Sequence, residues 1–156
     1  MYGGDDATGS RLQRVVGLFL DNDVQFLIVG GYALAAHGLP RLTGDLDAWV
    51  WISDDNASRV IRALTEFGFG SLGLTVDDFN RPDSIVQLGY PPYRIDILTE
   101  IDGVSFEAAW DRRLEVEIDG RRVPFIGREE LIANKRASGR PQDIADVARL
   151  SSQDHP

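Results

Sequence analysis

Leu12, Val15, Val16, Phe19 and Leu20 recur at the three- and four-residue spacing of one helix face. This predicts an amphipathic helix over 11–22, with Ser10 as its N-cap. A short continuous apolar run over 24–29 then reads as a buried strand. Gly30-Gly31 breaks that run, and an Ala-rich helix over 33–37 follows and stops at Gly38-Leu39-Pro40. A second strand, rich in Trp and Val, is expected over 46–52. Ser53-Asp54-Asp55-Asn56 supply capping oxygens for a helix over 56–67, whose apolar face is Val60, Ile61, Leu64 and Phe67.

The pattern weakens over 69–83, where Gly, Asp, Asn and Pro predict a loop with one helical turn at most. Strands over 84–89 and 93–98 are expected to pair around Gly89-Tyr90-Pro91-Pro92. Two further strands, 114–118 and 122–126, flank Asp119-Gly120, the clearest hairpin signal in the chain. Helices over 128–138 and 141–150 close it, the second with Pro141 in its first turn. The sum is an α+β fold: a mixed, mostly antiparallel sheet covered by helices in a single domain. That domain is expected to span 10–151, between a disordered Gly- and Asp-rich stretch over 1–9 and a tail over 152–156.

Composition narrows the function classes. At 156 residues, 43% hydrophobic and 26% charged, the chain has the make-up of a globular protein with one core. The absence of cysteine excludes disulfides, thiolate zinc sites and a Cys nucleophile. No apolar stretch approaches the roughly 20 residues of a membrane span, so no membrane partner is expected. The first residues lack a signal-peptide pattern, and a cytoplasmic location is the expectation. A net charge of −9 argues against broad nucleic-acid binding through phosphate neutralisation. Arg112, Arg113, Arg121, Arg122, Arg128, Lys135, Arg136 and Arg140 nevertheless crowd the last third and leave room for a local basic surface.

The candidate chemistry lies in carboxylates on strands. Asp45 and Asp47, at i and i+2, project from one face of a strand a few residues after the glycine turn. Asp96 sits between Ile95 and Ile97 on a later strand and faces away from both. Three such carboxylates repel one another unless a cation lies among them. A hard divalent ion such as Mg²⁺, shared with substrate phosphates, answers that need. Such a cluster can hold two ions roughly 3.5–4 Å apart, and Asp96 can serve as general base for an incoming hydroxyl. Gly30 and Gly31, after a strand and opening a helix, let backbone amides approach a triphosphate. The bland reading of the same acidic residues is a solvated strand face.

In order and spacing, Gly30-Gly31, Gly38, Arg41-Leu-Thr43-Gly-Asp45-Leu-Asp47 and Asp96 resemble the polymerase-β-type nucleotidyltransferase superfamily. The Arg-x-Thr-x-Asp-Leu-Asp form is most similar to its minimal bacterial branch. That branch includes AbiEii-type abortive-infection toxins and the lincosamide and aminoglycoside nucleotidyltransferases. The tail, from Glu130 through Lys135, Gly139, Arg140 and Asp143 to Asp146, is similar to the same branch. The resemblance implies Mg²⁺-dependent transfer of NMP from an NTP, ATP first and GTP, CTP or UTP as alternatives, to an acceptor hydroxyl. It implies Asp45 and Asp47 as metal ligands, Asp96 as third ligand or base, and Gly30, Gly31 and Thr43 around the nucleotide. Lys135 falls where the family tends to place a basic residue toward the nucleotide; the alternative for it and for Arg140 is a solvated helix end or an ion pair with Asp143 or Asp146. His37 is expected to cap or pack rather than ligate, and Trp49, Trp51 and Trp110 to pack.

Larger family members carry a second domain for the acceptor, and this chain has little beyond the catalytic core. The acceptor, whether tRNA, protein or small molecule, would then be held by a protein partner or by the Arg-rich tail. The competing expectation is a degenerate binding or regulatory module, for example in a toxin–antitoxin or defence complex.

Overall fold

A computed structural model describes residues 3–39, 44–90 and 93–153. Helix α1, Gly3–Asp21, starts well before the expected Ser10 cap, so Ser10 lies inside it and the backbone over 3–9 is helical. Once the apolar face has nucleated a helix, each added residue gains a hydrogen bond, and the helix extends beyond its periodic stretch. It stops at Asn22, whose Nδ2 donates to the Leu18 carbonyl at 2.8 Å, and at Asp23, which adopts φ +57°.

The chain continues through β1 (Phe26–Val29), α2 (Gly30–Ala36), β2 (Asp45–Val50) and α3 (Asp54–Leu64). After short turns come α4 (Val76–Phe79), β3 (Ile85–Tyr90), β4 (Tyr93–Leu98) and α5 (Phe106–Asp111). The hairpin β5 (Leu114–Ile118) and β6 (Arg121–Phe125) precedes α6 (Arg128–Ser138) and α7 (Pro141–Ser152). One six-stranded sheet runs in the order β3-β4-β2-β1-β6-β5. The β1–β2, β3–β4 and β5–β6 pairs are antiparallel, whereas β1–β6 and β2–β4 are parallel. The expected α+β architecture, mixed and mostly antiparallel, is the one observed. Asp119 at φ +52° and Gly120 at φ +77° form the tight turn that Asp-Gly foretells.

Two further elements differ from the pattern-based reading. Helix α3 begins at Asp54, capped by Ser53 Oγ, which accepts from the Asn56 amide at 3.0 Å, and it ends at Leu64 rather than residue 67. Gly68, at φ +122°, cannot continue a helix, and residues 65–72 form two short irregular turns instead. Helix α5 has no counterpart in the periodicity because six residues are too few to establish one. Its existence depends on tertiary contact: Phe106 meets Trp49 edge-on at 5.1 Å and Trp51 at 5.7 Å.

Strand β1 is buried on both faces, which is why it reads as an unbroken apolar run. On one side, Phe19 of α1 meets Phe26 edge-on at 5.2 Å, and α3 packs beside α1. On the other, α5 covers the face that carries Trp49. No helix among the described residues is long and apolar enough to cross a membrane.

Asn56 ties the start of β1 to the end of β2. Its side chain, 1% exposed, accepts from the Gln25 amide at 2.7 Å and donates to the Gln25 and Trp51 carbonyls at 3.0 and 2.8 Å. Asn56→Leu keeps the branched outline but leaves the Gln25 amide and the Trp51 carbonyl without this partner, while the Gln25 carbonyl keeps its bond from the Trp51 amide at 3.1 Å. The expected cost is about 3 kcal/mol, read as a lower urea midpoint at unchanged m-value.

Candidate functional site

The sheet brings the carboxylates together through register. In the parallel β2–β4 pair, Asp47 lies opposite Asp96, and Asp45 lies opposite Arg94. Asp45 and Asp47 share a face by the two-residue period of a strand, and Asp96 joins them from the adjacent strand. On the other side of β2, Asp47 pairs with Val29, the residue just before the glycine turn. Gly30 holds φ +71°, and a Cβ placed there would lie 2.1 Å from Asp47 Oδ2. The turn is therefore glycine for two reasons: a left-handed backbone, and a carboxylate seated where a side chain would be. No side chain caps the first turn of α2, since Val29 precedes it.

Arg94, to which the sequence analysis assigned no role, stands among these acids. Its Nε donates to Asp96 Oδ1 at 2.8 Å, and its Nη2 donates to Asp96 Oδ2 at 3.1 Å and to Asp45 Oδ2 at 3.4 Å. The available signal was its position two residues before Asp96 on one strand, which sets both on the same face. Among the described residues, no group of three or more His, Cys, Asp or Glu side chains forms a ready-made metal cage. In this conformation the charge bridging Asp96 and Asp45 is a guanidinium.

The electrostatics record the crowding. Burial, then the negative charges of Asp96 and Asp45, push the Asp47 carboxyl up to about 7, against the opposing pull of Arg94; a hydrogen bond with Asp96 adds to the rise. Tyr32, half-buried at the start of α2, is raised by burial and then by Asp45. The donor set fits a hard divalent cation in kind: three carboxylates on one sheet face with more negative charge than one arginine balances.

A stability signature follows from Asp47. Its folded pKa of about 7 exceeds the ordinary 3.8, so between those values the folded chain binds more protons there than the unfolded chain. The contribution of this group to stability therefore falls as pH rises from about 4 to 7, by at most about 1.4 kcal/mol per pH unit. Urea denaturation in chelator from pH 5 to 8 is expected to show that decline, and Asp47→Asn to flatten it.

Other expected site residues are distributed as follows. Gly30 and Gly31 open α2 at the carboxylates. Thr43, with Arg41, lies outside the described residues. Lys135 is buried between α6 and α7, with Nζ 3.3 Å from Asp143 Oδ1 and 3.1 Å from Asp146 Oδ2. Arg140 Nε adds a bond to Asp143 Oδ2 at 2.8 Å. Burial alone would raise the Asp143 carboxyl, but hydrogen bonds from Arg140 and Lys135, with their charges, together hold it below its ordinary value. The ion-pair alternative for Lys135 is thus the arrangement observed, with both acids at once. His37 Nε2 lies 2.8 Å from the Ile126 carbonyl oxygen, a structural tie that places the proton on that nitrogen.

Comparison with curated protein sequences found no match. Among solved structures, the chain is similar to a candidate nucleotidyltransferase from Thermotoga maritima, at 15% identity over 91% of each chain, with a TM-score of 0.59. It is similar to the lincosamide antibiotic adenylyltransferase LnuA with lincomycin bound, at 15% identity over 92% of this chain and 96% of that one, with a TM-score of 0.53. It is also similar to ANT(2")-Ia in complex with adenylyl-2"-tobramycin, at 13% identity over 93% and 87% of the two chains, with a TM-score of 0.56. At these identities the likeness is one of fold. A family model described as "Nucleotidyltransferase of unknown function (DUF6036)" matches residues 12–152. With that match spanning both the carboxylate strands and the two closing helices, the chain belongs to this nucleotidyltransferase family.

Proposed function

We propose that the protein moves NMP from a nucleoside triphosphate, ATP first, to a hydroxyl of an acceptor in a Mg²⁺-dependent reaction. The observation that carries this reading is the register: Asp47 opposite Asp96, Asp45 on the same face, and Gly30 against the Asp47 carboxylate. In this reading Asp45, Asp47 and Asp96 hold the divalent cation, which supplies charge neutralisation at the phosphates when bound. The backbone amides of Gly30 and Gly31 receive the triphosphate, with Thr43 beside it. The acceptor oxygen forms a bond to the α-phosphorus while the bond from that phosphorus to the bridging oxygen breaks. Pyrophosphate leaves with the electron pair, and Asp96 takes the acceptor proton. In-line positioning and electrostatics lower the barrier, with little covalent work by the protein.

Lys135 is assigned to holding α6 against α7, because two buried carboxylates already take its charge. The acceptor class follows only by analogy with the solved structures, two of which are antibiotic adenylyltransferases. A small hydroxylated molecule is therefore the first class to try, ahead of tRNA and protein. The decisive experiment offers each α-labelled NTP with Mg²⁺ and pools of small molecules, tRNA and protein. Label entering one pool, and lost with Asp45→Asn, is the expected result; no transfer into any pool would overturn the catalytic reading.

One observation favours the alternative of a binding or regulatory module: Arg94 already neutralises part of the carboxylate cluster. Calorimetry with each NTP, with and without Mg²⁺, separates the two. Metal-dependent binding favours the enzyme, and its absence favours the module.

A further inference from the structure

Arg94 is set into the cluster by the sheet itself. It lies opposite Asp45 in the β2–β4 register and two residues before Asp96 on the same strand. Its fork engages both oxygens of Asp96, at 2.8 and 3.1 Å, and reaches Asp45 at 3.4 Å. Planar two-point pairing of this kind is the strongest hold an organic cation has on a carboxylate. It also uses lone pairs that a metal ion would need, so guanidinium and divalent cation compete for the same oxygens.

The hold is strong but not locked. The Arg94 side chain keeps 27% of its surface exposed. Its cross-strand partner on β3 is Gly89, which presents no side chain beside it. The guanidinium is thus partly open to solvent on a flexible stem.

Resting on the reading of this site as a metal and triphosphate centre, we propose that Arg94 is an internal cation that keeps the site closed to metal until nucleotide arrives. In the nucleotide-free protein it bridges Asp96 and Asp45 in place of the divalent ion. When metal and triphosphate enter together, the ion takes the carboxylates and the released guanidinium takes phosphate oxygens, an equally good two-point partner. Neither ligand alone satisfies all the charges, so each raises the affinity for the other. Arg94 thus holds Asp96 and Asp45 in the nucleotide-free protein, becomes a triphosphate ligand in the loaded one, and is the source of that coupling.

The test is Mn²⁺ binding to the full chain without nucleotide, with the free ion followed by electron paramagnetic resonance. Arg94→Gln is expected to bind Mn²⁺ about tenfold more tightly than the native chain. Arg94→Lys, which keeps the charge but loses the fork, is expected to fall between them. Thermal unfolding gives a second readout: in chelator Arg94→Gln melts below the native protein, and Mn²⁺ raises its Tm by more. Equal or weaker Mn²⁺ binding by the folded Gln variant overturns the proposal. If both proteins then bind Mn²⁺ and both lose it with Asp47→Asn, the metal centre stands and only the role of Arg94 falls. If neither binds Mn²⁺, both readings fall. Should Arg94→Gln not fold, the Lys variant decides: tighter binding than native supports the proposal, and equal binding overturns it.

Discussion

Asp47→Asn is expected to reduce nucleotidyl transfer by at least about 100-fold while making the metal-free protein more stable. The two effects have one cause. Asp47 faces Asp96 in register and shares a face with Asp45, and its carboxyl is pushed up to about 7 by burial and by those neighbours. At pH 8 the folded chain must hold it ionised against that pressure, whereas the unfolded chain does so freely. Asn has nearly the same shape and no charge, and should return about 1–2 kcal/mol of stability at pH 8. It supplies a poorer metal ligand, so the chemistry is lost. A transfer assay and urea denaturation in chelator on one preparation check both halves. Retained transfer would remove Asp47 from the machinery. Lost transfer with lost stability would mark it as a structural residue.

Gly30→Ala should damage stability and transfer together. The new Cβ would sit 2.1 Å from Asp47 Oδ2 and 3.0 Å from its Cγ, and the backbone is held at φ +71°, which alanine resists. Backbone strain and displacement of the carboxylate together should cost about 3 kcal/mol and abolish transfer. Gly120→Ala provides the comparison. It shares the left-handed backbone, at φ +77°, but nothing lies within 4 Å of its Cβ position. It should cost about 1 kcal/mol and leave transfer intact. If both variants lost the same stability and kept activity, the contact between the turn and Asp47 would carry no functional weight.

The elements that the sequence revealed are those whose signal is local. The Asp119-Gly120 turn, the Ser53 cap and the buried run of β1 each need only a few neighbouring residues to be recognised. Helix α5 escaped because Ser105 caps only six residues, which are held by Phe106 against Trp49, 57 positions earlier in the chain. The early end of α3 was missed because a helical spacing through Phe67 says nothing of the backbone that Gly68 adopts. Within the site, Asp45 and Asp47 were legible as a pair by strand periodicity, and Asp96 by its place between two isoleucines. That Asp96 stands opposite Asp47 required the parallel β2–β4 pairing. Arg94 shows the limit most clearly. Its place two residues before Asp96 sets both on one strand face, but only the pairing brings its guanidinium onto Asp45 as well.

By itself the amino-acid order determined which residues are the candidates for chemistry. Side-chain period, glycine placement and charge are properties of neighbours along the chain, and they marked the acids, the turn and the helices that flank them. Only the tertiary structure decided how those charges are balanced. Strand register joins residues nearly 50 positions apart, and it places a guanidinium, rather than empty space, between the carboxylates. The Lys135 ion pairs arise in the same way: burial against Asp143 and Asp146 requires two helices to be packed together, and no local pattern encodes that contact.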